Sequence, residues 1–153
     1  MMNAYPSASS RTVVYVEDEP VNVLLMKALL GRRPDLRLLV ATSGQEAMAL
    51  AEGLSPDLLL LDIRLPDCLG TELLPRLRQH PGCRRAPAVA VTAEHGFRIA
   101  GTGFDEVWGK PLRFDLVRGR LSALLPWGGE PPPLAGAAAW VNGERSAAAP
   151  SFR

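Results

Sequence analysis

Five short apolar runs alternate along this chain with stretches in which apolar residues recur every three or four positions. The runs fall at about 12–16, 36–40, 57–61, 88–91 and 105–108. They are almost continuous, as in Val13-Val14-Tyr15-Val16 and Leu58-Leu59-Leu60-Leu61. Strands look like this when both faces of a sheet are covered, the usual situation of a parallel sheet. The first helix is predicted to follow Asp18. Pro20 suits its first turn, where the missing N–H costs nothing. Val21, Leu24, Leu25, Ala28 and Leu29 then follow at i, i+3, i+4, i+7 and i+8 and predict one inward stripe. Gly31 can close this helix, and Pro34 bars its continuation. Ser43-Gly44-Gln45-Glu46 is a capping box that opens a second helix, with Ala47, Leu50, Ala51 and Leu54 inward. A third is predicted from about Thr71 to Gln79, with Leu73, Leu74 and Leu77 inward and Pro75 tolerated near its start. Before Gly101-Thr102-Gly103 only Glu94 to Ala100 is available, so a fourth helix has two turns at most. The last spans about 114–125 and buries Val117, Leu121, Leu124 and Leu125.

Five strand–helix repeats imply right-handed crossovers and an α/β three-layer sandwich. Residues 1–10 are small and polar and are expected to form a flexible arm. The domain is expected at 11–125. Residues 126–153 hold five Pro, four Gly and seven Ala without a periodic apolar face, so they are expected to be a disordered tail. Trp127 and Trp140 are that tail's candidates for docking on the domain or on a partner.

Composition narrows the function only by exclusion. The chain is 47% hydrophobic with a net charge of +1, so it can bury a core and has no bulk attraction to nucleic acid or a membrane surface. No apolar run approaches bilayer length, and the N-terminus lacks the features of a secretory signal, so a cytoplasmic location is expected. Cys68 and Cys83 lack metal-ligand spacing and read as free thiols.

The candidate chemistry lies at the ends of the runs. The first ends in Glu17 and Asp18, the third in Asp62, the fourth in Thr92, and the fifth is followed by Lys110-Pro111. The carboxyl ends of parallel strands share one edge, and ligands bind outside it. Each residue alone is ordinary: an acidic pair after a strand is more often a helix cap, and Lys-Pro is usually a turn. Together they are not. Three carboxylates within about 5 Å repel by roughly 3 kcal/mol per pair at an effective dielectric near 20. Lys110 offsets part of that, and a hard, oxygen-seeking Mg²⁺ the rest. A carboxylate between a metal and a lysine is placed to attack a phosphoryl group and form an acyl phosphate.

These motifs, VVYVEDEPVN, VATSGQEAM, LLLLDIRLPDCLGTELL, AVTAE and GKPL, resemble the receiver domain of two-component response regulators over about residues 12–125, similar to the single-domain chemotaxis regulator. The resemblance implies a flavodoxin-like parallel sheet of order 2-1-3-4-5. It implies that Asp62 is the phosphoacceptor. Asp18 would bind Mg²⁺ directly, Glu17 directly or through water, and the backbone carbonyl of Arg64 would complete the protein ligands. Thr92 and Lys110 would hold the phosphoryl group, the Lys110-Pro111 bond would be cis, and Pro66 and Gly70 match the loop after the acceptor. Arg64 and Glu94, two residues after Asp62 and Thr92, would flank the route of hydrolytic water and tune dephosphorylation.

Three positions depart from the pattern. Val107 stands where an aromatic switch residue is usual, with Trp108 beside it pointing inward by strand alternation. The stretch from Thr92 to Lys110 is 18 positions, about one turn short, which shortens the fourth helix. Leu69 replaces an Asp before the loop glycine. His80, expected at a helix end, and His95, expected in an exposed turn, are read as structural.

The implied function is a phosphorylation-dependent switch and not an enzyme, charged by a histidine kinase or a histidine phosphotransfer protein and signalling by protein contact as a monomer or weak dimer. The 28 residues after Leu125 are too few for an output domain, so a single-domain regulator is expected. The alternatives are a shuttle in a multistep phosphorelay and a non-phosphorylated scaffold of the same fold. A phosphohydrolase would need an acid where Arg64 stands.

Overall fold

The computed structural model describes residues 10–126. Five strands, β1 (Arg11–Val16), β2 (Leu36–Ala41), β3 (Leu58–Asp62), β4 (Ala88–Thr92) and β5 (Glu106–Gly109), form one parallel sheet of order 2-1-3-4-5. The helices are α1 (Pro20–Leu30), α2 (Gly44–Ala51), α3 (Gly70–Leu77) and α4 (Phe114–Leu124), with a short 3₁₀ turn at Pro81–Cys83. The predicted α/β sandwich and its strand order are therefore as expected.

Side-chain alternation sorts the core into two layers. Val13, Tyr15, Leu58, Leu60, Val89, Val91 and Trp108 pack on one face with residues of α1 and α4. Val14, Val16, Leu59, Leu61, Ala88 and Ala90 pack on the other with residues of α2 and α3. The strands interleave by period two, so consecutive apolar residues serve opposite layers. Trp108 is buried as its alternation predicts, while Val107 is exposed on the other side of β5.

Two expectations need correction. The stripe expected on α1 is out of phase by about one residue. Met26, Leu29 and Leu30 are buried, whereas Val21 is 61% and Leu24 67% exposed. Almost every position of PVNVLLMKALL is apolar, so periodicity alone cannot set the phase; the sheet does. The second concerns the shortened fourth helix, which is not a helix at all. The chain from Ala93 to Asp105 is irregular, and Gly96, Gly101 and Gly103 all have positive φ, a region that other residues enter at a cost. Phe97 and Ile99 cover the core there with Phe104, and the rings of Phe97 and Phe104 meet edge to face at 6.4 Å. Three aromatic and aliphatic anchors replace a helical stripe.

The two ends of the described chain are tied together. Buried Arg33, between α1 and β2, forks onto Asp35 with two bonds of 2.7 Å and donates to the Leu125 carbonyl at 2.8 Å. Arg11 donates to Asp35 and to the Pro126 carbonyl. The arm at 1–10, save Ser10, and the tail at 126–153, save Pro126, lie outside the described residues, as do Trp127 and Trp140.

Candidate functional site

The register fixes the carboxyl edge. Val16 lies opposite Leu61, Asp62 opposite Val91, and Thr92 opposite Gly109. The next residue of β1 is Glu17 and the next of β5 is Lys110, so four of the expected residues converge by strand pairing alone. Glu17, Asp18 and Asp62 each offer a carboxylate oxygen within 4.8 Å of the others. Glu17 and Asp62 are buried, and Asp18 is exposed.

Lys110 is the counter-charge. Its Nζ lies 2.7 Å from Glu17 Oε1 and 3.0 Å from Asp62 Oδ2. Burial alone would lower the affinity of this ammonium for its proton, but the two carboxylates together hold its pKa above the ordinary lysine value. Burial pushes the Asp62 carboxyl above its ordinary value; Lys110 opposes that, and the Glu17 charge adds to it. A second cation near Asp62 would favour its ionised form. Three carboxylates and one ammonium leave two net negative charges, all on hard oxygen donors, a set that fits a divalent cation such as Mg²⁺.

The backbone around Asp62 is tightly drawn. Asp62 Oδ1 accepts the Arg64 N–H at 3.2 Å. The loop then closes on itself: Leu65 N–H donates to the Cys68 carbonyl, and Gly70 N–H to the Ile63 carbonyl. A Cβ on Gly70 would lie 2.4 Å from the Asp62 carbonyl oxygen, so only glycine lets the start of α3 approach the end of β3 this closely. Thr92 is buried, and its Oγ1 accepts the Glu94 N–H at 3.0 Å. Asp62, Arg64, Thr92, Ala93, Glu94 and Lys110 line a pocket of about 250 Å³. The Arg64 guanidinium lies 3.2 Å from Glu94 Oε2 across it, so the two flanking residues do pair. The Lys110-Pro111 peptide is cis, as the resemblance implies.

His80 and His95 are absent from the pocket lining. His95 is exposed, and His80 Nε2 is enclosed without a hydrogen-bond partner among the described residues. Cys68 and Cys83 are free. Exposed Leu69 donates its N–H to Glu72 at 3.0 Å, at the start of α3.

Two residues escaped the sequence reading. Asp67 accepts the N–H groups of Gly44 and Gln45, both at 2.8 Å, and so fastens the loop after Asp62 to the first turn of α2. Those two bonds hold its carboxyl below the usual range. Tyr15, fully buried in β1, donates its hydroxyl to Glu17 Oε1 at 3.1 Å. Burial and the Glu17 charge push the Tyr15 phenol well above its ordinary value, so the hydroxyl stays protonated and stays a donor. The alternation of β1 carried the signal, since residues two apart on a strand share a face.

Residues 13–117 match the model of the response regulator receiver domain family. The protein named "Probable transcriptional regulatory protein TcrX" of Mycobacterium tuberculosis is 37% identical over 119 residues, covering 74% of this chain and 49% of that one. The signal transduction histidine-protein kinase BarA of Shigella flexneri is 30% identical over 128 residues, covering 80% of this chain and 14% of that one. The chain thus spans half or less of the length of these relatives. Among solved structures, the receiver domain of the sensor histidine kinase PA1611 of Pseudomonas aeruginosa PAO1 superposes with a TM-score of 0.67 at 27% identity, covering 75% of this chain and 97% of that one. That structure has a magnesium ion coordinated in its active-site cleft.

Proposed function

This chain belongs to the response regulator receiver family, and from that we propose that Asp62 accepts a phosphoryl group and makes the domain a phosphorylation-dependent switch. The observation that carries the proposal is Lys110 bridging buried Asp62 and Glu17 at the sheet edge, beside exposed Asp18. In the transfer, an Asp62 carboxylate oxygen attacks the phosphorus of a phosphohistidine on a histidine kinase or phosphotransfer protein. The P–N bond breaks, the imidazole leaves with the electron pair, and an acyl phosphate remains. Asp18 and Asp62 would hold Mg²⁺ with the Arg64 carbonyl, and Glu17 would act directly or through water. The ion supplies positive charge against the phosphoryl oxygens when bound. Lys110 adds its own, and the Thr92 hydroxyl would donate to the new phosphoryl group. Hydrolysis reverses the charge state: water attacks phosphorus, the O–P bond breaks, and carboxylate and inorganic phosphate form.

The switch is proposed to signal by protein contact and to work in the cytoplasm. No helix among the described residues is long and apolar enough to cross a membrane. With α-helix missing between β4 and β5, and Val107, Phe114 and Leu116 exposed, the surface beside the site is built differently from the sequence expectation. The proposal is tested by incubating the chain with a small phosphodonor and Mg²⁺ and reading intact mass. One phosphoryl group is expected on the native chain and none on Asp62→Asn. Labelling that persists undiminished in Asp62→Asn would refute the assignment.

A further inference from the structure

We propose that Tyr15 is a positioning residue for the cation site, holding Glu17 so that one chosen oxygen is left for the metal or its water. The inference rests on the reading of the acidic cluster as a Mg²⁺ site and adds a residue to it. Glu17 is completely buried, and a buried carboxylate needs its oxygens hydrogen-bonded. Its two oxygens are unequally served. Oε1 takes the Tyr15 hydroxyl at 3.1 Å and the Lys110 ammonium at 2.7 Å. Among the described residues, Oε2 takes only the Glu19 N–H, at 3.1 Å. Oε1 is therefore occupied by two donors, and Oε2 keeps acceptor capacity for a cation or for a water on it.

Lys110 cannot fix this choice by itself. It is shared with Asp62 at 3.0 Å, and an ammonium is a point charge that either oxygen of Glu17 could satisfy. Tyr15 can. Its ring is packed among Val13, Leu58, Leu60 and Trp108 in the core, so the hydroxyl is delivered at a fixed place. Glu17 and Tyr15 sit two apart on the same face of β1, which brings the hydroxyl to the carboxylate from the side opposite solvent. Glutamate has one more rotatable bond than aspartate, and the tyrosine removes the freedom that this bond adds.

The test is Mg²⁺ binding, read by titration calorimetry on the full chain. Tyr15→Phe keeps the ring and removes only the donor. It is expected to weaken Mg²⁺ binding about three- to ten-fold, the range for losing one ordinary hydrogen bond. A merely structural tyrosine would lower the melting temperature and leave the Mg²⁺ dissociation constant unchanged. That result, in a folded Tyr15→Phe chain, would overturn the inference. A second measurement needs no change at position 15. In Tyr5→Phe, which leaves Tyr15 as the one tyrosine, the ¹³Cζ resonance reports the hydroxyl's hydrogen bond. It should move with Mg²⁺ at the same half-saturation as the calorimetry, and a stationary resonance would count against the inference. A native chain that takes up no Mg²⁺ would overturn the reading of the site itself, whereas uptake that is equal in both chains defeats only the role of Tyr15.

Discussion

Arg64 and Glu94 face each other across the mouth of the pocket at 3.2 Å, with side chains 74% and 34% exposed. So exposed a pair contributes about 0–1 kcal/mol to stability. Its effect on rate is a separate matter, because each 1.4 kcal/mol of barrier is about tenfold. If the pair obstructs the in-line approach of water to the acyl phosphate, Arg64→Ala and Glu94→Ala each speed its decay by severalfold. The double variant is then less than additive, since either loss already breaks the pair. Decay rates unchanged in both single variants would leave the lifetime to Lys110, Thr92 and the metal. At this scale the sequence was informative about which charged residues meet at the sheet edge and silent about most of their hydrogen bonds. Asp62 and Thr92 were readable because each ends a strand, and Lys110 because it follows one. The double acceptance by Asp67 was not, because it depends on where a loop comes to rest, and for Tyr15 alternation gave the shared face with Glu17 but not the bond itself.

Among the elements, β-strands were legible to within a residue, because their apolar runs are bounded by charged and turn residues. The inward face of α3 was legible as well, since Leu73, Leu74 and Leu77 are all buried, although the helix ends at Leu77 and not at Gln79. The phase of α1 was not, for a helix with apolar residues on nearly every side has no unique inward face. The segment after β4 defeated the reading for the opposite reason, since three glycines and two phenylalanines favour an irregular cover over a helix. Elements are also held by charged clamps that no periodicity reveals. The Arg33–Asp35 fork joins the α1–β2 turn to the end of α4. Its hydrogen bonds hold the Asp35 carboxyl below its ordinary value. A lowered folded pKa contributes stability that is present above the unfolded value, near 3.9, and is lost as pH falls through the folded one. Asp35→Asn is therefore expected to cost about 1–3 kcal/mol at pH 7 in denaturant titrations. The cost should shrink toward zero in strong acid. A cost that is the same at both pH values would show that the charge on Asp35 is irrelevant to the clamp.

For the whole molecule, the fold concentrates unfavourable charge at one edge of the sheet. Glu17, Asp18 and Asp62 repel, and Lys110 neutralises one of the three. A cation that binds only the native state stabilises it by mass action, about 1.4 kcal/mol at ten times its dissociation constant. Millimolar Mg²⁺ should accordingly raise the melting temperature by roughly 3–6 °C. The gain should shrink as pH falls, because burial raises the Asp62 carboxyl above its ordinary value and a proton on it competes with the ion. A melting curve indifferent to Mg²⁺ at pH 7 would mean that the cluster does not bind it. At the end of the described chain the carbonyls of Leu125 and Pro126 are both held by arginines.

The central claim is that the phosphoryl group goes to one carboxylate, Asp62. The most direct measurement is to phosphorylate the chain with a small donor and Mg²⁺, reduce the acyl phosphate with borohydride, and map the product by fragmentation mass spectrometry. Reduction turns an aspartyl phosphate into homoserine and a glutamyl phosphate into hydroxynorvaline, and leaves free carboxylates untouched. Homoserine at position 62 and at no other acidic residue is the predicted result. Homoserine at Asp18 or another aspartate, or hydroxynorvaline at Glu17 or another glutamate, with position 62 unchanged, would contradict it.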